Sequence, residues 1–401
     1  EISKLDLPVA SELIDATRRL RLATGANNFP PAMAEWLRDA QRDLRDLMGK
    51  HLLSETVNSP VRVPAVAPQY ADDATTRPAY EIFQEYFAAK FSERPELFAF
   101  GEDVGKIGDV NQGFAGLQAK FGEDRVFDTG IREWTIMGQA MGMAMRGLRP
   151  IAEVQYLDYM FYALPMLTDD VATLRWRSAG QQSCPLIVRT RGHRLEGVWH
   201  SGSYLTPLIG SLRGIHLCVP RNAVQAAGMY NTLLAGDDPG IVIEVLNGYR
   251  LHERQPSNLA ELTVPLGVPE CLRAGTDLTM VTYGACVKVC QEAADLLAAQ
   301  GIEAEIIDVQ TLLPFDLEHR ITDHLQHTNR LLIVDEDVPG GTSAYLRQQI
   351  LEEQGGYAHL DAAVKTVTAP EHRPAYGDNG NYASKPMVMD VVEAAMEVVA
   401  F

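Results

Sequence analysis

An α/β fold of at least two domains, with mainly parallel sheets, is predicted by three features of the 401-residue chain. The first is a recurring pattern from Tyr80 onward in which short β-branched runs alternate with helix-period segments, the arrangement that buries a parallel sheet between helices. The second is length, which is enough for two or three separate cores. The third is a polar, proline-bounded stretch at 251–268 (LHERQPSNLAELTVPLGV) that divides the alternating region in two.

Taken in order, the elements begin with two charged, helix-period segments, SELIDATRRLRLAT and MAEWLRDAQRDLRDLMGKHLL, separated by Asn27-Asn28-Phe29-Pro30-Pro31. Val57 to Pro78 reads as an extended Pro/Ala linker. AYEIFQEYFAAKF is an amphipathic helix and LFAFGED a short strand entering a loop. Helical spacing from Met137 to Met145 precedes a turn at Gly147–Pro150 and a strand expected to carry Glu153, Gln155 and Tyr159. PLIVRTRG, IHLCVP and GIVIEVL are further strands, with the helix NAVQAAGMYNTLLAG between the last two. Beyond the boundary, DLTMVTYGA, EAEIIDV and NRLLIVDED alternate with helices expected over 286–300, 316–326 and 343–354. The predicted domains are an N-terminal helical arm with linker (1–75), a first α/β domain (76–265) and a second (266–401).

Composition narrows the partners. Apolar content of 46% against 22% charged residues is that of a folded, water-exposed protein and argues against disorder. A net charge of −18 disfavours nucleic acid and anionic membrane surfaces. No apolar run is long enough for a membrane span and no secretory signal pattern is present, so neither partner is expected. Five scattered cysteines without a CxxC pair point to a reducing, cytoplasmic compartment. Cys286 and Cys290, four apart in a helix, suit buried thiols, and no metal ligands are assigned.

The chemistry concentrates in residues 126–159, VFDTGIREWTIMGQAMGMAMRGLRPIAEVQYLDY. Glu133 follows a turn and opens a helix, where negative charge is favoured whether or not it serves a ligand. Followed by a strand with an aromatic face, such a carboxylate could exchange a proton with a flat heterocycle.

GEDVG (101–105), GLQAKFGEDRVFDTGIRE (116–133) and GLRPIAEVQYLDY (147–159) resemble the β subunits of thiamine-diphosphate-dependent 2-oxo acid dehydrogenases. These are the decarboxylating components for pyruvate and branched-chain 2-oxo acids, within the transketolase-like superfamily. The resemblance runs from about Thr75 to the C-terminus. It implies a pyrimidine-binding domain followed by a transketolase C-terminal domain, both three-layer α/β units. Glu133 is implied as the acid beside the aminopyrimidine, with Tyr159, Gln155 and Ile131 as further cofactor contacts. His200, in GVWHSGSY, is implied as the acid/base for acyl transfer to a lipoyl arm. DEDVPGGTSAYLRQQI (335–350) and TAPEHRPAY (368–376) resemble the second domain, which in the family supports dimerisation and acyltransferase docking.

The chain departs from the family pattern at Gly130 and Arg132, at Trp199 before His200, and in a more basic loop, RTRGHRLEGVWHSGS (189–203). Arg189, Arg191, His193 and Arg194 in that loop are expected to be solvated, to bridge to a partner or to favour a more acidic 2-oxo acid. The Gly-Asp-Gly element that carries Mg²⁺ and the diphosphate in the superfamily does not occur. The cofactor implied is therefore thiamine diphosphate with Mg²⁺ held mainly by an α partner. A heterotetramer is implied, with a second β chain and a lipoyl-bearing acyltransferase as further partners. The start at Glu1 and the linker composition also suit the β half of an α–β fusion. Rival readings are an acetoin- or ketol-converting enzyme with the same cofactor, and a non-catalytic interaction subunit of the same fold.

Overall fold

The computed structural model describes residues 9–192, 203–375 and 377–400. The chain divides into two units, Glu1–Leu52 and Leu53–Phe401. In the first, helices Ala10–Thr24 and Pro31–Gly49 are joined by a short turn, Ala26–Asn28. Glu12 accepts the Val9 N–H at 3.0 Å and so caps the first helix, Gly25 ends it at φ 76°, and Pro31 opens the second. Ile14, Phe29 and Leu37 are buried.

The second unit holds the α/β body. Its strands, in chain order, start with β1 (Thr76–Pro78), β2 (Leu97–Gly101), β3 (Val126–Asp128), β4 (Arg149–Glu153) and β5 (Ile187–Gly192). They continue with β6 (His216–Cys218), β7 (Gly240–Val245), β8 (His252–Arg254), β9 (Glu270–Arg273) and β10 (Leu278–Thr282). The last four are β11 (Ala304–Asp308), β12 (Thr311–Leu313), β13 (Leu331–Val334) and β14 (Lys365–Val367).

A seven-stranded sheet runs β12-β6-β7-β5-β4-β2-β3, parallel except for its β12 edge. A five-stranded sheet runs β14-β13-β10-β11-β9, with β9 as its antiparallel edge. β1 and β8 form a separate ribbon. Helices Ala79–Glu93 and Ala223–Ala235 bury Phe83, Phe87, Tyr230 and Leu233 on one side of the larger sheet. Helices Cys286–Ala298 and Val388–Val399 do the same on the smaller one through Cys290, Leu297 and Val391. A third cluster, from Phe100 and Met137 through Ile241 to Ile307 and Leu346, makes one core continuous across both sheets. β12 strengthens that union, because a strand distal to the 251–268 boundary completes the first sheet.

The Val57–Pro78 stretch is not a free tether. The Pro64 carbonyl accepts from Thr263 Oγ1 at 2.6 Å, Gln69 N–H is held by Asn258 Oδ1 at 2.8 Å, and Val66 bridges Thr263. A second difference concerns β4, which ends at Glu153: Gln155 lies in the following loop and Tyr159 in the single turn Leu157–Tyr159. Apolar residues at 151, 152, 154 and 157 are all buried, and such an unbroken run does not by itself mark where a buried strand ends. Among the described residues no helix is long and apolar enough to cross a membrane. All five cysteines are free, and only Cys271 is exposed.

Candidate active site

The chain passes from β2 outward to β3, then back across β2 to β4. Connections therefore diverge between β2 and β4, and a crevice opens at the carboxyl ends of the strands where the loops part. Gly101, the last residue of β2, fits this crowded end: a Cβ there would lie 2.7 Å from the Glu153 carbonyl oxygen. Immediately beyond it, a pocket of about 260 Å³ is lined by Glu102, Ile131, Arg132, Glu133, Gln155, Tyr159 and Tyr162. The four residues that the sequence marks for the cofactor, Ile131, Glu133, Gln155 and Tyr159, thus meet in one cavity. His200, Trp199, His193 and Arg194 lie outside the described residues.

Glu133 is the first residue of helix Glu133–Met145 and only 8% exposed. Its place at the positive end of the helix dipole favours negative charge. Glu102 faces the same space. Burial raises its carboxyl above the usual value, with further contributions from the Asp103 and Glu133 charges. The Gln155 amide donates to Asp103 Oδ2 at 3.1 Å, which fixes its rotamer against the loop after β2. Tyr159 meets Tyr156 edge-on at 5.8 Å and Tyr162 at 6.5 Å, giving the pocket an aromatic wall. Burial, then Asp158 and Glu102, raise its hydroxyl. Ile131 and Tyr162 in the lining are exposed, as are Trp134 and Phe161, which adjoin Glu133 and Tyr162 in sequence.

Below the pocket the picture differs from that expected for the basic loop. Arg189 and Arg191 are neither solvated nor turned outward: both belong to β5 and are completely buried. Arg189 Nη1 lies 2.6 Å from both Asp109 Oδ2 and Glu153 Oε2, and its Nε lies 3.1 Å from Glu244 Oε1. Arg191 Nη2 reaches the same Asp109 and Glu153 oxygens at 3.0 and 2.9 Å. The Tyr249 hydroxyl accepts from Arg189 Nη2 at 2.7 Å and from Arg191 Nε at 3.1 Å, and donates to Glu244. Tyr230 donates to Glu244 as well, and Arg189 stacks 4.2 Å from the Phe114 ring centre.

Burial alone would raise the Asp109 carboxyl, but Arg191 and Arg189 hold it below its usual value. Glu153 stays above its usual value, because full burial outweighs the same two arginines. The network reaches the pocket through Arg191, whose Nη1 donates to the Gln155 carbonyl at 3.1 Å. Sequence reasoning missed this layer. The signal was arginines two apart in LIVRTRG: both point to one face of a strand, and a buried parallel strand can keep them only if carboxylates meet them.

Comparison with known proteins identifies the two α/β domains. Residues 76–250 match the family described as transketolase, pyrimidine binding domain, and residues 267–383 match transketolase, C-terminal domain. The chain is 33% identical over 307 residues to the 2-oxoisovalerate dehydrogenase subunit beta of Bacillus subtilis, covering 76% of this chain and 92% of that one. It is 36% identical to the pyruvate dehydrogenase E1 component subunit beta of Acholeplasma laidlawii, over 67% of this chain and 81% of that one. A split-gene transketolase, solved as an inactive β4 tetramer, shares the fold with a TM-score of 0.62 at 18% identity, over 80% of this chain and 98% of that one.

The fold and the two domains therefore define a transketolase-like protein. Within that class, the chain belongs to the family of 2-oxo acid dehydrogenase β subunits, the decarboxylating, thiamine-diphosphate-dependent components.

Proposed function

We propose that this chain supplies the pyrimidine half of a thiamine-diphosphate site whose diphosphate half comes from an α partner. The observation that carries the proposal is the division of polar groups in the pocket. A mostly buried carboxylate, an amide and a tyrosine wall suit a flat aminopyrimidine. The same lining, with Glu102 and Glu133 against a single Arg132, would repel a diphosphate. The lining thus fits one end of the cofactor, and Mg²⁺ with the diphosphate falls to the α partner.

When bound, the cofactor supplies the nucleophilic carbon and the electron sink needed to decarboxylate a 2-oxo acid. Glu133 holds a proton at the pyrimidine ring nitrogen. Tyr159 and Ile131 pack on its apolar faces, and Gln155 orients an edge. The Asp109–Glu153–Arg189–Arg191 layer keeps the Gln155 backbone in place. His200 serves as acid/base in acyl transfer to the lipoyl group of an acyltransferase. Exposed Ile131, Trp134, Phe161 and Tyr162 offer apolar surface for the α partner to cover, which would exclude water from the cavity. A heterotetramer with a second β chain follows from the same reading. The free thiols support a reducing, cytoplasmic setting.

Cofactor binding by the separated components tests the proposal. The chain alone should bind thiamine diphosphate weakly with or without Mg²⁺, and tight, Mg²⁺-dependent binding should appear with the α partner. Tight Mg²⁺-dependent binding by this chain alone would overturn the half-site. A screen of 2-oxo acids with the complete enzyme, read by dye reduction, then assigns the substrate.

A further inference from the structure

In the five-stranded sheet, away from the cofactor pocket, three side chains from three elements converge: Cys271 on β9, Glu305 on β11 and His324 on helix Arg320–Thr328. One ligand atom from each lies within 4.8 Å of the other two. His324 Nδ1 is 2.7 Å and Cys271 Sγ 4.0 Å from the same oxygen, Glu305 Oε1. The pairing of β9 with β11 shifts register between Ile306 and Ile307, beside Glu305, the kind of irregularity that redirects a side chain from the ladder.

The carboxylate is held in one orientation. Thr328 bonds the Thr279 hydroxyl at 2.7 Å, and Thr279 in turn donates to Glu305 Oε2 at 2.8 Å. That relay occupies one carboxylate oxygen and aims the other at the histidine and the thiol. The Glu305 side chain is 8% exposed, yet among the described residues no arginine or lysine pairs with it. Arg273, on the same edge strand, is turned to Asp295 and Glu303 instead. A nearly buried anion without a permanent cation, flanked by a sulfur and an imidazole nitrogen, has the electrostatics and donor set of a transition-metal site.

We infer that Cys271, Glu305 and His324 form a zinc site that clips the edge strand β9 to helix Arg320–Thr328. Tetrahedral metal–ligand bonds of about 2.0–2.3 Å set donors roughly 3.3–3.6 Å apart, so sharing one ion needs the imidazole and carboxylate to part slightly and the thiol to close in by up to about 1 Å, within reach of side-chain rotation. Sulfur and nitrogen donors select zinc over magnesium or calcium. With Cys271 exposed and His324 32% exposed on its side chain, water reaches the fourth coordination position. The Thr279–Thr328 pair forms the outer layer that orients the carboxylate. The inference is independent of the function proposed above.

Zinc content and thermal unfolding of the full chain, measured after dialysis against Zn²⁺, provide the test. The expected result is about one zinc per chain with a raised Tm. Cys271→Ser and His324→Ala should each lose the metal and the Tm shift, and neither position is buried enough to threaten the fold. Thr279→Val, which removes no ligand, should weaken zinc binding roughly 10- to 100-fold. Loading with Co²⁺ should give a thiolate charge-transfer band that Cys271→Ser abolishes. Absence of zinc from the dialysed protein overturns the inference, as does full retention in either ligand variant, the latter marking binding by an isolated thiol or imidazole.

Discussion

Two groups of ionisable side chains crowd the carboxyl ends of neighbouring parallel strands, and they are treated in opposite ways. Glu102 and Glu133 face a cavity, with Glu133 mostly buried and Glu102 partly so, and among the described residues neither is in an ion pair. By contrast, Asp109, Glu153 and Glu244 are sealed from water and ion-paired to Arg189 and Arg191. A carboxylate kept for chemistry must exchange a proton with a ligand, so it stays open to one. A carboxylate kept for position is neutralised by fixed partners, and its value lies in what it holds, here the Gln155 backbone through Arg191. Buried ion pairs of this kind add little net stability over apolar packing, but removing one partner is costly.

That asymmetry sets the largest expected effect. Arg189→Met would strip Glu244 of its only ion pair among the described residues and leave Asp109 and Glu153 to share Arg191, and it should lower stability by about 3–5 kcal/mol, measured by urea unfolding. A loss under about 1 kcal/mol would mean that the layer tolerates an unpaired charge and does not hold the pocket floor. Glu133→Gln tests the other side of the comparison. It should leave unfolding nearly unchanged while cutting turnover of the reconstituted enzyme by roughly 10²–10⁴-fold. Near-normal turnover would remove Glu133 from the proton-holding role. Tyr159→Ala sits between the two. Loss of one aromatic face worth about 0.5–1.5 kcal/mol should raise the half-saturating thiamine diphosphate concentration roughly 2- to 10-fold, with Tyr159→Phe close to wild type. Equal losses in both variants would shift the role from the ring to the hydroxyl.

Open and sealed groups also differ in how readable they are in sequence. The alternation of strands and helices was legible because each strand is a β-branched run bounded by turn residues, and β5, β7, β10, β11 and β13 lie within those runs. The pocket was legible too: Ile131 and Glu133 are contiguous with a turn and a helix start, and the family resemblance extends through Gln155 and Tyr159. The ion network was hidden because its members are spread from residue 109 to 249, and only the sheet order brings β4, β5 and β7 side by side. Arg189 and Arg191 looked like the start of a basic loop because burial of a charge depends on partners distant in sequence. The Cys271–Glu305–His324 cluster was hidden for the same reason, since no local ligand spacing marks it.

The smallest effect concerns Glu102, where open and sealed behaviour meet. Burial, then Asp103 and Glu133, raise its carboxyl above 4.5 in the folded protein. Between that value and the higher folded one, the native state binds more protons than the unfolded state, so stability falls as pH rises through this window. Ionised Glu102 therefore opposes folding at neutral pH, and Glu102→Gln should stabilise the free chain there by about 0.5 kcal/mol or less, because the group is partly solvated. At pH 4 the carboxyl is mostly protonated in both states and the advantage should largely disappear. Urea unfolding of both proteins at pH 4 and pH 7 measures the difference. A Gln variant less stable at pH 7 would place Glu102 with the sealed, positioning carboxylates. A stabilised variant would leave it with Glu133, among the open carboxylates of the pocket.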